Sequence, residues 1–557
     1  MGEILQFRKD QNTYIKLADE RAEKGDLTGA LGFLFCAKSI SETPEVLEKI
    51  ADLYAEMGNP ELSNKYWFYY IDKAPKDKVT TAFEELAINY FYLDDFLCSS
   101  YYFHEKLIRD GVIAKDGLDP EIIDFFSGEE IKNNAYHIAY PFERADFSYE
   151  LKKGKRALSA GEFEQAVKVF SAIPKECLGE DGAGDFAVAK LMVDDIDGAI
   201  EVARDSLAIH GENLTAYCNL STAFDMKEDF EKSEYYYKKA KACAKGDKNE
   251  EYKLATCAIE RLDHKVVREC IEKILTERPY DISMRFFYGI SLLNCGDKCG
   301  ALEQFSQAYR LNPEDHVLKF YCKYARELVE SPQTAEDYSP IRYLKILPEK
   351  VATERSKKIK EIIANPSKIP FYVKKKEIRE ILEWGVNSED KDVARECVYV
   401  LATAFNAYSK VVLLDVLKNN DVNTSTKRVI VYALIVAGFT EKFSVVDRNF
   451  HFRIRAKKLT CEKKEGAELY LSAYALCFSR MVFSGETGLD KIAKVTDKIY
   501  SKLKDKISAS EVTNEELASL ILLECGFARF DSESSVMRVF EVSKNKLKLL
   551  KSLFKGE

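Results

Sequence analysis

Residues 283–315 read SMRFFYGISLLNCGDKCGALEQFSQAYRLNPED. Tyr288, Gly289 and Leu292 precede a Gly296-Asp297 pair; Ala301, Phe305, Ala308 and Pro313 follow it. Apolar residues three and four apart on both sides spell two amphipathic helices joined by a turn. Gly289 and Ala301 are small because two antiparallel helices pack closely there, and Phe305 fills the groove between neighbouring hairpins. Gly296 can take the left-handed backbone of the turn. Pro313 sits after the second helix, which it cannot extend.

The same register recurs upstream, with turn positions at Gly25, Gly58, Asp94, Gly161, Asp194, Glu228, Leu262 and Gly296. Successive spacings are 33, 36, 67, 33, 34, 34 and 34 residues. The position five after each turn reads Ala30, Ser63, Ser99, Ala166, Ala199, Ser233, Val267 and Ala301. Four further on stand Leu34, Trp67, Phe103, Phe170, Ala203, Tyr237, Ile271 and Phe305. A period of this length marks stacked helical hairpins. The pattern resembles the tetratricopeptide repeat, and the resemblance implies an α-solenoid, a right-handed superhelix of hairpins with a concave groove. At least seven hairpins are expected before residue 314. The 67-residue interval holds either a degenerate repeat turning near Ser127-Gly128 or a long inserted loop, within about 107–147.

Residues His316 to Val329 continue as a helix that would cap the last hairpin, since a solenoid must cover its exposed end. The array with its cap is thus expected over 1–330, and Ser331-Pro332 and Ser339-Pro340 suggest a linker over 331–350. Beyond it, 374–405 and 411–439 each give an apolar helix, a turn bearing Asp or Asn, and a second helix. They resemble HEAT repeats more loosely, and further helices are expected over 467–484, 488–503, 514–530 and 534–554. No run of alternating β-branched residues argues for a sheet, so the whole chain reads as all-α, with 351–557 a second, HEAT-like helical domain.

The 557 residues carry a net charge of −9, unevenly spread: 45 basic against 64 acidic residues up to Glu349, then 38 against 28. The longest apolar stretch, Val429 to Phe439, is far short of the ~20 residues that cross a bilayer. The N-terminus MGEILQFRKDQ lacks a signal-peptide pattern, so a cytoplasmic location and no membrane partner are expected. Fourteen scattered cysteines include no Cys-x-x-Cys, which argues against structural zinc and fits a reducing compartment. Phosphate-loop, dinucleotide, zinc-protease and nucleophile-elbow motifs are all missing. No cofactor, no metal and no catalytic residue is expected, and the chain reads as a non-enzymatic protein.

In the tetratricopeptide family the first helix of each hairpin lines the groove, at 13, 10, 6, 3 and 2 residues before the turn. The resemblance carries this role to Asp19, Glu23, Glu45, Glu48, Asp52 and Glu56 in the first two hairpins. In later hairpins it reaches Thr222, Asp225, Tyr252, Thr256, Glu260, Phe286 and Asn294. The early groove is acidic and the later one neutral with aromatics. The Lys, Arg and Asn set of carboxylate-clamping relatives is missing. A scaffold or adaptor is implied, holding a protein or peptide partner with a basic segment. The alternative is a nucleic-acid-associated protein. In 448–464, RNFHFRIRAKKLTCEKK, the cations Arg448, Arg453, Arg455, Lys457 and Lys458 interleave with Phe450 and Phe452. Cations neutralise phosphates and aromatic faces stack on unpaired bases. In the plainer reading Phe450, Phe452 and Ile454 alternate into a core while the cations stay solvated; in a third, the basic surface docks on the acidic array.

Overall fold

All eight expected turn positions adopt left-handed backbone, with φ between 55° at Leu262 and 85° at Gly296. Four of them are not glycine: Asp94, Asp194, Glu228 and Leu262. The residue after the turn makes the next helix begin. Asp26, Asp95, Asp195, Asp229, Asp263 and Asp297 each accept a hydrogen bond from the backbone N–H three residues on. Such a cap satisfies one of the donors a helix start leaves open, and contributes about 1 kcal/mol.

The computed structural model describes the chain except residues 1–9, 113–146, 160, 245–247, 332–335, 337, 339, 462–463, 485–487, 508–510, 528–531 and 556–557. The expected degenerate repeat between 107 and 147 falls largely outside the described residues. Two compact units form: Met1–Trp67 with Pro75–Pro348, and Phe68–Ala74 with Glu349–Glu557.

Up to residue 311 the described helices pair as successive helical hairpins. They are α1 (Gln11–Ala22) with α2 (Leu27–Ile40), α3 (Pro44–Glu56) with α4 (Pro60–Lys73), and α5 (Val79–Tyr92) with α6 (Phe96–Arg109). Then come α7 (Ser148–Ser159) with α8 (Phe163–Phe170), α9 (Gly179–Met192) with α10 (Ile196–His210), and α11 (Leu214–Met226) with α12 (Phe230–Cys243). The last pairs are α13 (Lys248–Glu260) with α14 (His264–Glu277), and α15 (Ile282–Asn294) with α16 (Lys298–Leu311). Helix α17 (His316–Glu330) packs on α16 as the cap. The eight small positions five after each turn are at most 1% exposed. A Cβ on Gly289 would stand 2.6 Å from the Phe305 ring, and one on Gly154 the same distance from Phe170. The small residue therefore admits the large one from its own hairpin. Residues 341–347, inside the stretch expected as a linker, lie against this array, with Ile341, Tyr343 and Leu347 buried.

The second unit has one continuous core, drawing on Leu382, Leu401, Ile430, Val445, Phe478, Leu520 and Leu550 among others. It opens with α18 (Glu349–Ile363), α19 (Lys376–Val386), α20 (Lys391–Ala404), α21 (Ala407–Lys418) and α22 (Thr424–Val436). The two expected HEAT-like pairs are α19 with α20 and α21 with α22. Gly385 lets the first pair close, since a Cβ there would meet the Cys397 sulfur at 2.3 Å. After the sheet described next come α23 (Ala467–Met481), α24 (Asp490–Leu503), α25 (Asn514–Cys525), α26 (Glu533–Phe540) and α27 (Lys544–Lys555). The single helix expected over 534–554 is two, because Glu541 takes φ 56° and turns the chain.

Within this all-α fold the described residues include one short sheet that the sequence pattern does not announce. Strands β1 (Phe443–Asp447) and β2 (Phe450–Ile454) pair antiparallel, Phe443 opposite Ile454 and Asp447 opposite Phe450. Arg448 and Asn449 form the two-residue loop, at φ 48° and 69°. Two successive left-handed residues match the twist of the strands they join. The ladder is only five residues long, and the packed helices around it still set the fold.

Candidate partner-binding face

First helices of successive hairpins share one face, and side chains at the expected offsets meet across it. Thr222 on α11 donates to Glu260 on α13 at 2.7 Å. Lys253 on α13 donates to Thr215 on α11 and to Asp181 on α9, both at 2.8 Å. Asn219 on α11 reaches the Gly184 carbonyl of α9 at 3.1 Å. Tyr252 donates to Asp281 at 2.9 Å and carries Arg278 over its ring, while the Thr256 hydroxyl bonds back to Tyr252 O. Asp225 lies 3.9 Å from Arg261, which also pairs with Glu234 at 2.7 Å. This end of the face is a satisfied polar surface.

The N-terminal end differs. Asp19 on α1 pairs with Lys49 on α3 at 2.7 Å. Glu23, Glu45 and Glu56 are exposed. The Asp52 carboxyl is pushed up to about 6, by desolvation first and then by Glu48 and Glu85, with Lys49 pulling the other way. After burial, it is the like charges of Glu48 and Glu85 that oppose its ionisation, so acidic side chains crowd this end of the face. Beside them α5 exposes Ile88, Phe91 and Tyr92, at 43%, 53% and 76%. These three are not among the residues expected to line the groove. They stand 6, 3 and 2 residues before the Asp94 turn, so the offsets applied to the other hairpins identify them.

Phe286 needs correction. It is fully buried between Phe305 and Tyr321, at ring distances of 5.7 and 5.1 Å, and lines no groove. Phe287, the next residue, faces outward and meets the Tyr343 ring at 6.2 Å. Asn294 does reach the surface, where its amide holds the backbone of Ile341 at both ends: Nδ2 to the carbonyl at 2.8 Å, and Oδ1 to the N–H at 2.9 Å.

In the second unit the five basic candidates are engaged by their own chain. Arg453 donates to Ile71 O at 2.6 Å and pairs with Asp72 at 3.2 Å. Asp72 also receives Ser444 and the His451 ring; burial works against its charge, but these partners hold its carboxyl below the usual range. Arg455 donates to Thr440 O at 3.0 Å, and Lys457 stands 3.4 Å from Asp490. Arg448 leans on Asp447 at 3.3 Å but is 75% exposed. Lys458 is exposed. From β2 into the residues that follow, Ile454 and Ala456 are buried, Arg453, Arg455 and Lys457 are exposed, and Phe450 and Phe452 are half-buried.

Among the described residues no group of three or more His, Cys, Asp and Glu is placed to hold a metal ion. All fourteen cysteines are free thiols, Cys295 and Cys299 among the exposed ones. No described helix is long and apolar enough to cross a membrane.

No family model and no curated protein matches the sequence. Among solved structures, the tetratricopeptide protein YrrB, described as having an unusual peptide-binding site, is 19% identical; the match covers 35% of this chain and 97% of that one at TM-score 0.25. Yeast Tom70 is 10% identical over 98% of this chain and 99% of its own, at 0.28. The human IFIT1 dimer with PPP-AAAA is 11% identical over 78% and 93%, also at 0.28. At these scores the likeness adds nothing to what the hairpins themselves establish.

Proposed function

We propose that this chain is a non-enzymatic cytoplasmic scaffold whose first unit holds an extended or helical segment of a partner protein in the groove formed by the first helices. The observation that supports it is the pairing of crowded carboxylates around Asp52 with the exposed Ile88, Phe91 and Tyr92. The segment that fits carries Lys or Arg for the first and apolar side chains for the second. Charge steers and orients it, and the exposed apolar side chains hold it as binding covers them.

The test is fluorescence anisotropy with a short peptide of alternating Lys and Leu. It should bind, weaken with salt as exposed charges are screened, and be lost in a Glu48→Lys/Asp52→Lys variant. Binding should strengthen as pH rises through about 6, because Asp52 is neutral below that value and anionic above it. The same peptide with Glu in place of Lys should not bind. Equal binding of both peptides contradicts the proposal.

A further inference from the structure

Residues 340–347 read PIRYLKIL and follow the cap helix α17. They have no regular secondary structure, yet three of their side chains are buried: Ile341, Tyr343 and Leu347, each at most 5% exposed. The residues between them point away, with Leu344 and Ile346 each half exposed. The chain bends over residues 343–346, where the Ile346 N–H donates to the Leu344 carbonyl. Ile341, Tyr343 and the exposed Lys345 each still meet the array.

Each of these three has a built partner on the array. The Asn294 carboxamide takes both the N–H and the carbonyl of Ile341. This bidentate hold reads backbone, not side chain, and suits any residue except proline. Tyr343 packs its ring against Phe287 and His264, and its hydroxyl lies 2.8 Å from His264 Nδ1. Lys345 pairs with Asp315 at 3.1 Å. One end therefore recognises backbone, the middle an aromatic ring with a polar tip, and the other end a cation.

We infer that Ile341–Leu347 is an internal ligand: it fills a second peptide subsite at the C-terminal end of the face, and a partner segment of the pattern aliphatic-x-Tyr-x-Lys takes its place. The inference rests on the reading of this face as a segment-binding surface, though on hairpins far from Asp52 in sequence. The internal segment competes at high effective concentration because it is tethered. It releases only when a partner carries the same anchors. The subsite thus combines specificity with a built-in threshold.

The experiment uses the full chain and a labelled peptide, SPIRYLKILP, copied from residues 339–348. In wild type the peptide should bind weakly. In Ile341→Ser/Tyr343→Ser, with folding checked by circular dichroism, it should bind about tenfold tighter or better, since the competent state is no longer a minor one. A peptide with Ala for its Tyr should bind neither protein. A second arm needs no variant. Hydrogen exchange on wild type should show the Ile341 amide protected, and a saturating excess of peptide should remove that protection. Protection unchanged by excess peptide overturns the inference and makes the segment a fixed part of the cap. So does a folded double variant that binds no better than wild type. Because the Lys-Leu peptide reports on the Asp52 end, its binding alongside either negative result would overturn this inference alone.

Discussion

The Tyr54 hydroxyl donates a 2.8 Å hydrogen bond to the Leu311 carbonyl, joining α3 to the end of α16 across 257 residues of sequence. Nearby, Asn59 reaches the Tyr280 carbonyl at 3.2 Å, and Glu314 receives both Lys38 and Lys65. Nearest-neighbour stacking alone would leave the first and last hairpins of an array unconnected. Here helices near both ends of the first unit are clamped together, which limits how far it can flex.

Glu314 is the charged centre of that clamp. Burial works against its charge, but Lys65 and Lys38 hold its carboxyl far below the usual glutamate range. A group depressed in the folded state contributes stability above its unfolded value and loses it as pH falls toward the folded one. Glu314→Gln should cost about 1–3 kcal/mol at neutral pH, the scale of a hydrogen bond to a charged group. The gap in denaturant midpoint should narrow as pH falls below about 4.3. A gap that does not change with pH would mean the pair of lysines does not act on this carboxyl.

Leu262 occupies a turn position that four of the eight hairpins fill with glycine, at φ 55° and half exposed. Left-handed backbone costs a residue with a Cβ about 1–2 kcal/mol. Glycine also gains freedom in the unfolded chain, which offsets part of the relief. Leu262→Gly should therefore raise the unfolding midpoint by a small amount, and Gly296→Leu should lower it by more. Thermal unfolding of the two variants checks both signs, and a neutral Gly296→Leu would remove the turn assignment.

The register in the first unit was legible because it is enforced by sterics at each hairpin. A small residue, a large residue and a left-handed turn each leave a mark in the sequence, and all eight turns fall where the spacing puts them. The β-hairpin was harder to see. FSVVD and FHFRI alternate only weakly, and its loop is Arg448-Asn449 with no glycine. The two-residue gap before Phe450, with Asn second, was the available signal. Phe286 was misplaced because a helix position sits on the boundary between core and groove, and rotation by one residue exchanges it with Phe287. Asp72 could not be found as the partner of Arg453, since 381 residues separate them.

Lys427 is fully buried, donates to the Val446 carbonyl at 2.6 Å and lies 3.8 Å from Asp447. Burial pushes its ammonium down to about 8, with Asp447 and Asp421 pulling it up. The folded state thus binds the proton less readily than the unfolded chain does. Wild-type stability should rise with pH between about 8 and 10.4, where only the unfolded lysine stays protonated. In Lys427→Met that rise should disappear, and at neutral pH the variant should lose about 3 kcal/mol or less, since Asp447 keeps Thr424 at 2.7 Å. Denaturant midpoints measured across this pH range decide it.

The proposed seat of a partner segment is the acidic and apolar end of the first unit. The most direct measurement places a photo-crosslinking group on the Lys-Leu peptide, irradiates it with the full-length chain, and maps the adducts by mass spectrometry. Adducts are expected on α3 and α5, within Glu45–Tyr92, suppressed by high salt and by Glu48→Lys/Asp52→Lys. Adducts confined to residues 349–557, or unchanged by the charge reversal, would contradict this placement.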